Sequence, residues 1–158
     1  MTRLEKLAAC AGRWQGTNRL HDPHTKQPDD TPGTLEVTPI LGGRFVRLDY
    51  TWTWDDQPQS GAMIVGHEKE ANVDTAYWVD TWHNSDKGML CRGDADPGDS
   101  LTVKGAFAAP PGPDWGWDIV LTPVPGQSFD MVMHVYTPEG EQGPAVEARY
   151  VPVAYSHP

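Results

Sequence analysis

Asp80 stands between Trp78 and Trp82 at two-residue spacing. In an extended strand these three side chains share one face, while Tyr77, Val79, Thr81 and His83 share the other. A carboxylate set among indoles is desolvated, which raises its pKa and suits it to general acid–base work or to hooking a cationic or hydroxyl group. The same carboxylate serves equally well as a structural acceptor for an indole or backbone N–H. His134 shares a face with Val132 and Tyr136, opposite Met131, Met133 and Val135. With the methionines inward, His134 lies on the surface; in the other register it reaches an interior beside Tyr136 as a base, a metal ligand or a haem ligand. The candidate catalytic groups are Asp80, His134 and His83.

Other clusters carry less. His21-Asp22-Pro23-His24 places two imidazoles three apart around a carboxylate, but in a loop with no helix to align them and no third ligand. No metal site is expected there. Asp94-Ala95-Asp96-Pro97-Gly98-Asp99 is acidic, yet lacks the twelve-residue calcium-loop pattern with its closing Glu, and reads as a solvated turn. There is no Gly-x-Ser-x-Gly elbow, no Walker loop and no CxxC. Cys10 and Cys91 are too few for a disulfide scaffold and read as reduced thiols.

The elements that must position these residues are mostly strands. Gly and Pro number 16 and 15 among 158 residues, which argues against a helical bundle. Thr2 and Glu5 form a capping-box pattern, and Leu4, Leu7, Ala8 and Ala11 make one apolar stripe, so a short helix is expected, closed by a left-handed Gly12. Beyond Gly12 the period changes to two. Ten strands are expected, near residues 13–21, 34–41, 44–54, 61–69, 75–83, 88–94, 101–107, 116–123, 128–136 and 146–154. Turn-forming clusters such as Gly42-Gly43, Ser85-Asp86-Lys87-Gly88 and Pro125-Gly126 separate them. His21 to Gly33 reads as a surface loop, and Pro39, Pro123 and Pro152 belong at strand ends or a bulge. The expected fold is all-β: one domain over residues 1–158, a closed antiparallel up-and-down barrel of about ten strands with a short N-terminal helix. A sandwich is the alternative.

The strand ending at Trp54 puts Val46, Leu48, Tyr50, Trp52 and Trp54 on the inward face. Trp14, Gly16 and Leu20 align likewise on the first strand, and Trp115, Trp117, Ile119 and Leu121 on the eighth. Ten strands leave a bore that side chains only partly fill, so these aromatics either fill the barrel or wall a cavity for a small ligand. The expected ligand wall is Trp14, Tyr50, Trp52, Trp54, Trp78, Trp82 and Trp117, with Asp80 as polar anchor. The formal net charge of −10 and the lack of any Lys/Arg cluster argue against nucleic acid and anionic membrane as partners. The first residues lack the apolar core of a secretory signal, so a cytoplasmic location is expected, as a monomer or homodimer.

Three blocks, Ala11-Gly12-Arg13-Trp14-Gln15-Gly16, Leu41-Gly42-Gly43-Arg44-Phe45 and Tyr77-Trp78-Val79-Asp80-Thr81-Trp82, resemble in order the bacterial calycin-like family known as domain of unknown function fifteen-seventy-nine. The resemblance implies a lipocalin-like closed barrel with no established chemistry. Gly66-His67-Glu68 departs from that family's Gly-Tyr-Asp tendency. The Gly12–Gly16 stretch is also distantly similar to the nitrobindin haem barrels, which place a haem-ligating His on a C-terminal strand; Val146 to Val153 holds none. Four functions follow for test: a binding module for a small apolar or amphipathic ligand with no cofactor; an isomerase, hydratase or cyclase using Asp80 with a His; haem binding through His134; and a filled barrel acting through its surface.

Overall fold

A computed structural model describes residues 1–94 and 98–154. The centre of the acidic turn, residues 95–97, and residues 155–158 lie outside the described residues. One helix, α1 (Arg3–Ala8), precedes ten strands: β1 (Gly12–His21), β2 (Pro28–Ile40), β3 (Phe45–Trp54), β4 (Gln57–Glu68), β5 (Val73–Asp80), β6 (Met89–Arg92), β7 (Leu101–Phe107), β8 (Trp115–Val124), β9 (Ser128–Tyr136) and β10 (Gln142–Pro152). Each strand pairs antiparallel with its neighbours in sequence, and β1 closes on β10. Closure gives every strand a partner on both sides over at least part of its length.

The alternation of each strand decides what fills the bore. Val46, Leu48, Tyr50 and Trp52 on β3, Trp117, Ile119 and Leu121 on β8, and Phe129, Met131 and Met133 on β9 are buried in one core. The helix seals the barrel end where β1 begins. Thr2 Oγ1 accepts from Glu5 N at 3.0 Å and Thr2 N donates to Glu5 Oε2 at 2.9 Å, so the capping box is complete. Leu7 is fully buried, and Arg3 Nε donates to the buried Asp74 at 2.7 Å, which also holds His67 Nδ1 at 2.8 Å. His67, the residue at which the chain departs from the resembled family, thus helps tie α1 to β4 and β5.

Several details differ from the sequence expectation; β4 and β10 begin four residues earlier than expected, at Gln57 and Gln142. The helix ends at Ala8, where amides of Cys10 and Ala11 tighten onto Leu7 and Ala8 carbonyls; Ala11 is exposed, and Gly12, at φ 125°, opens β1. Strand β2 begins at Pro28, so the second half of the expected loop is extended. Over residues 28–33 only β1 pairs with β2, since β3 joins at Thr34, and the free edge tolerates residues without an N–H. Strand β5 stops at Asp80, short of Trp82 and His83. Pro39, Pro123 and Pro152 do fall in the last two residues of their strands.

Where β1 meets β10 the two backbones approach closely at Gly16, which is paired with Tyr150. A Cβ there would lie 2.9 Å from Tyr150 Cα and closer still to the Arg149 carbonyl. Gly16→Ala is expected to force this seam apart at a cost of about 1–3 kcal/mol. The check is urea denaturation, with a lowered midpoint and an unchanged slope.

Candidate functional site

Strands β3, β4 and β5 lie side by side with Tyr50, Gly61 and Asp80 in register. Because Gly61 carries no side chain, the Tyr50 ring crosses above it and donates its hydroxyl proton to Asp80 Oδ2 at 2.7 Å. Trp78 Nε1 donates in turn to the Tyr50 oxygen at 2.8 Å. Burial first, then the Asp80 charge, push the Tyr50 phenol well above its ordinary value, which keeps it a donor.

The other carboxylate oxygen, Oδ1, accepts the backbone N–H groups of Trp82 at 2.8 Å and His83 at 2.9 Å, and His83 Nδ1 lies 3.1 Å away. An aspartate side chain that bonds the amides two and three residues ahead offers the backbone an alternative to the sheet ladder, and the strand becomes a turn. Asn84 N on the Asp80 carbonyl at 3.1 Å and Asn84 Nδ2 on the Trp78 carbonyl at 3.3 Å hold that turn. The turn rotates His83 inward. Its ring packs against Trp82, Trp117, Trp78 and Trp52 at centroid distances of 4.7, 5.4, 5.7 and 5.8 Å. Burial opposes ionisation of Asp80, but the bonds and charge of His83 together with the Tyr50 bond outweigh it, so its carboxyl sits below the ordinary 3.8. An ionised carboxylate only accepts, so His83 Nδ1 carries a proton and Nε2 is left facing away from Asp80.

Above this network lies a chamber of about 1070 Å³. Trp78, Trp82, His83, Met89, Phe107, Trp115 and Trp117 wall it, with Val135 and Ala145 from the far strands. Its mouth is formed by residues of the β1–β2, β5–β6 and β7–β8 connections, among them His21, Asp22, Lys26, Asp86 and Lys87, at the end opposite α1. Trp78 and Trp117 stack on each other at 5.2 Å with planes 15° apart, and both are buried. A second concavity of about 600 Å³ runs over strands β1 to β5, framed by outward residues such as Arg13, Glu36 and Asp49.

The expected ligand wall divides accordingly. Trp78, Trp82 and Trp117 line the chamber, whereas Tyr50 and Asp80 do not; they lie buried behind Trp78 and His83. Trp52 is buried behind Trp82 and His83; Trp54 packs on Trp82 and donates to Asp22 Oδ2 at 3.2 Å near the mouth. Trp14 lies at the helix end, its indole donating to the Cys10 carbonyl at 2.8 Å and its ring set edge-on to Phe129. The extended-strand reading put His83 on the face opposite Asp80; the Asp80 turn overrides it and brings the two together. His134 lies on the outer face, since Met131 and Met133 point inward, and its Nδ1 sits 2.6 Å from Asp118 beside the Tyr136 hydroxyl. His134 is not among the residues that line the chamber. Phe107, Met89 and Trp115 complete the wall without having been named for it; Trp115 was legible from the inward face of β8.

The remaining clusters are occupied within the fold. His21 Nε2 is 2.8 Å from Glu147, and Asp22 accepts from His24 N at 2.8 Å. Among the described residues, no three His, Cys, Asp or Glu side chains are arranged to hold a metal ion. Cys10 and Cys91 are free and buried, and burial pushes both thiols up to about 11. No helix among the described residues is long and apolar enough to cross a membrane.

A family model described as a protein of unknown function, DUF1579, matches residues 3–151. The chain belongs to the DUF1579 family. Among solved structures, this DUF1579 member is similar to Rv2717c from M. tuberculosis, with a TM-score of 0.62 and 12% identity over 98% of this chain and 99% of that one. At that identity the likeness concerns the fold. No curated protein matches the chain.

Two outcomes test the network behind this DUF1579 chamber. Gly61→Ala places a methyl group in the Tyr50 ring and is expected to cost about 1–3 kcal/mol, read by urea denaturation. Asp80→Asn removes the charge that four donors stabilise and is expected to cost a similar amount, about 1–3 kcal/mol at neutral pH. Because the folded carboxyl sits below 3.8, its contribution is complete above that pH and fades as pH falls further. The gap in urea midpoint between wild type and Asp80→Asn is therefore expected to stay constant from pH 7 down to about 5 and to narrow below about 4.

Proposed function

We propose that the barrel binds a small, largely apolar or amphipathic molecule in the chamber above Asp80 and His83. One observation carries this reading: about 1070 Å³ of interior space, aromatic on its walls and open at one end, left by a barrel whose other end is sealed. Ligand sites are of this size and character, concave and apolar with a few polar groups that fix orientation. Seven tryptophans supply more bulk than a minimal core needs, and three of the chamber walls, Trp82, Trp115 and His83, are only partly buried.

The test is titration with the neutral fluorophore 1-aminoanthracene, followed by quenching of tryptophan emission. Saturable binding at micromolar concentration is expected, weakened about tenfold in Trp82→Ala through loss of one aromatic wall. An absence of binding up to the solubility limit of the probe overturns the reading.

A second reading, a proton-transfer enzyme such as an isomerase, hydratase or cyclase, draws on one specific feature: His83 has a carboxylate behind Nδ1 and its other nitrogen toward the chamber, the arrangement of an oriented general base. The two readings separate on what is released. A molecule recovered unchanged after incubation supports binding, and a chemically altered one supports catalysis.

A further inference from the structure

The chamber offers a bound molecule an imidazole nitrogen at its inner end. His83 Nε2 makes no hydrogen bond to any described residue, and it is not among the polar atoms sealed without a partner, which among the described residues are Trp117 Nε1 and Tyr150 OH. His83 lines the chamber, so Nε2 is unsatisfied yet open to it. The surrounding rings Trp78, Trp82 and Trp117 present faces that cannot replace a strong hydrogen bond there.

We infer that the ligand carries a neutral hydroxyl on an aromatic or otherwise apolar body, and that this hydroxyl is held by His83 Nε2. The inference rests on the binding reading above and names the head group that reading leaves open. Charge selects against an anion. Asp80 already places a carboxylate directly behind the imidazole, the mouth holds two aspartates, Asp22 and Asp86, against two lysines, Lys26 and Lys87, and the chain carries a formal net charge of −10. A hydroxyl adds no charge and suits the ring in either ionisation state, donating to Nε2 when the imidazole is neutral and accepting from it when protonated. Trp82 and Trp115, which line the chamber and are only partly buried, offer the surface an aromatic body would use. His83 is on this account a specificity-determining residue, and Asp80 a positioning residue that fixes its tautomer.

Three probes with one body and different heads test this: 2-naphthol, 2-methoxynaphthalene and 2-naphthoate, each titrated into the wild-type protein by calorimetry. The expected result is 2-naphthol bound about tenfold more tightly than the methyl ether, the worth of one well-made hydrogen bond in a dry site, with 2-naphthoate weakest. His83→Phe is expected to erase the preference for naphthol over the ether. Should that variant fail to fold, the imidazole ¹⁵N resonances of wild-type His83 supply the same information, with Nε2 shifting on naphthol addition far more than Nδ1. Equal binding of naphthol and ether overturns the inference and leaves the apolar chamber standing as a binding site. Tightest binding of naphthoate also overturns it, showing a site for anions. Failure of all three probes removes the binding reading and the inference together.

Discussion

A carboxylate buried to 1% of its side-chain surface has to recover, from the protein, the hydration it gives up, and Asp80 does so with donors from two places in the chain. Tyr50 reaches it from β3 across a glycine on β4, while the Trp82 and His83 amides and the His83 ring come from the turn that follows β5. The requirement fixes several things at once. Tyr50 must lie flat over Gly61, the strand must end at residue 80, and the imidazole must enter the bore. The chamber floor is the visible consequence.

The two ends of the barrel are treated differently. At one, α1 inserts Leu7 and is pinned by Arg3 to Asp74, a second buried aspartate, with His67 on its other oxygen. The aliphatic residues Leu48, Val46, Leu35 and Met131 fill the bore beneath it. At the other end aromatic residues line the interior, and connections rather than a helix surround the opening. A ten-stranded bore is wide enough that, without a plug, space remains. Histidines elsewhere in the barrel also meet carboxylates, His67 on the buried Asp74 at the helix end, His21 on Glu147, and His134 on the buried Asp118. Among these pairs, the Asp80–His83 pair is the one at the inner end of the chamber.

Period-two patterning with turn residues between the runs was enough to mark all ten strands and their closure, because inward positions such as Val46, Leu48, Tyr50 and Trp52 must all be apolar for the core to form. Trp78, Trp82 and Trp117, which line the chamber, were legible for the same reason. What the pattern could not convey was where a polar side chain diverts the backbone. Extending β5 through residue 83 sends the His83 ring outward, whereas the Asp80 carboxylate takes the next amides and turns it in. The start of β2 was hidden by Pro28 and Pro32, which look like loop residues until it is known that one edge of that segment has no partner. Trp14 matched the aromatic pattern of the wall, but inward direction alone does not tell which end of a barrel a side chain serves.

The central claim is that the Asp80 turn holds His83 at the floor of an open interior space. Crystals soaked with 4-iodophenol test it most directly through anomalous scattering. The expected result is an iodine peak inside the barrel among Trp78, Trp82 and Trp117, with the phenol oxygen within hydrogen-bonding distance of His83 Nε2. A bore closed by collapsed tryptophans, with His83 turned outward and no iodine in the interior, would contradict the account.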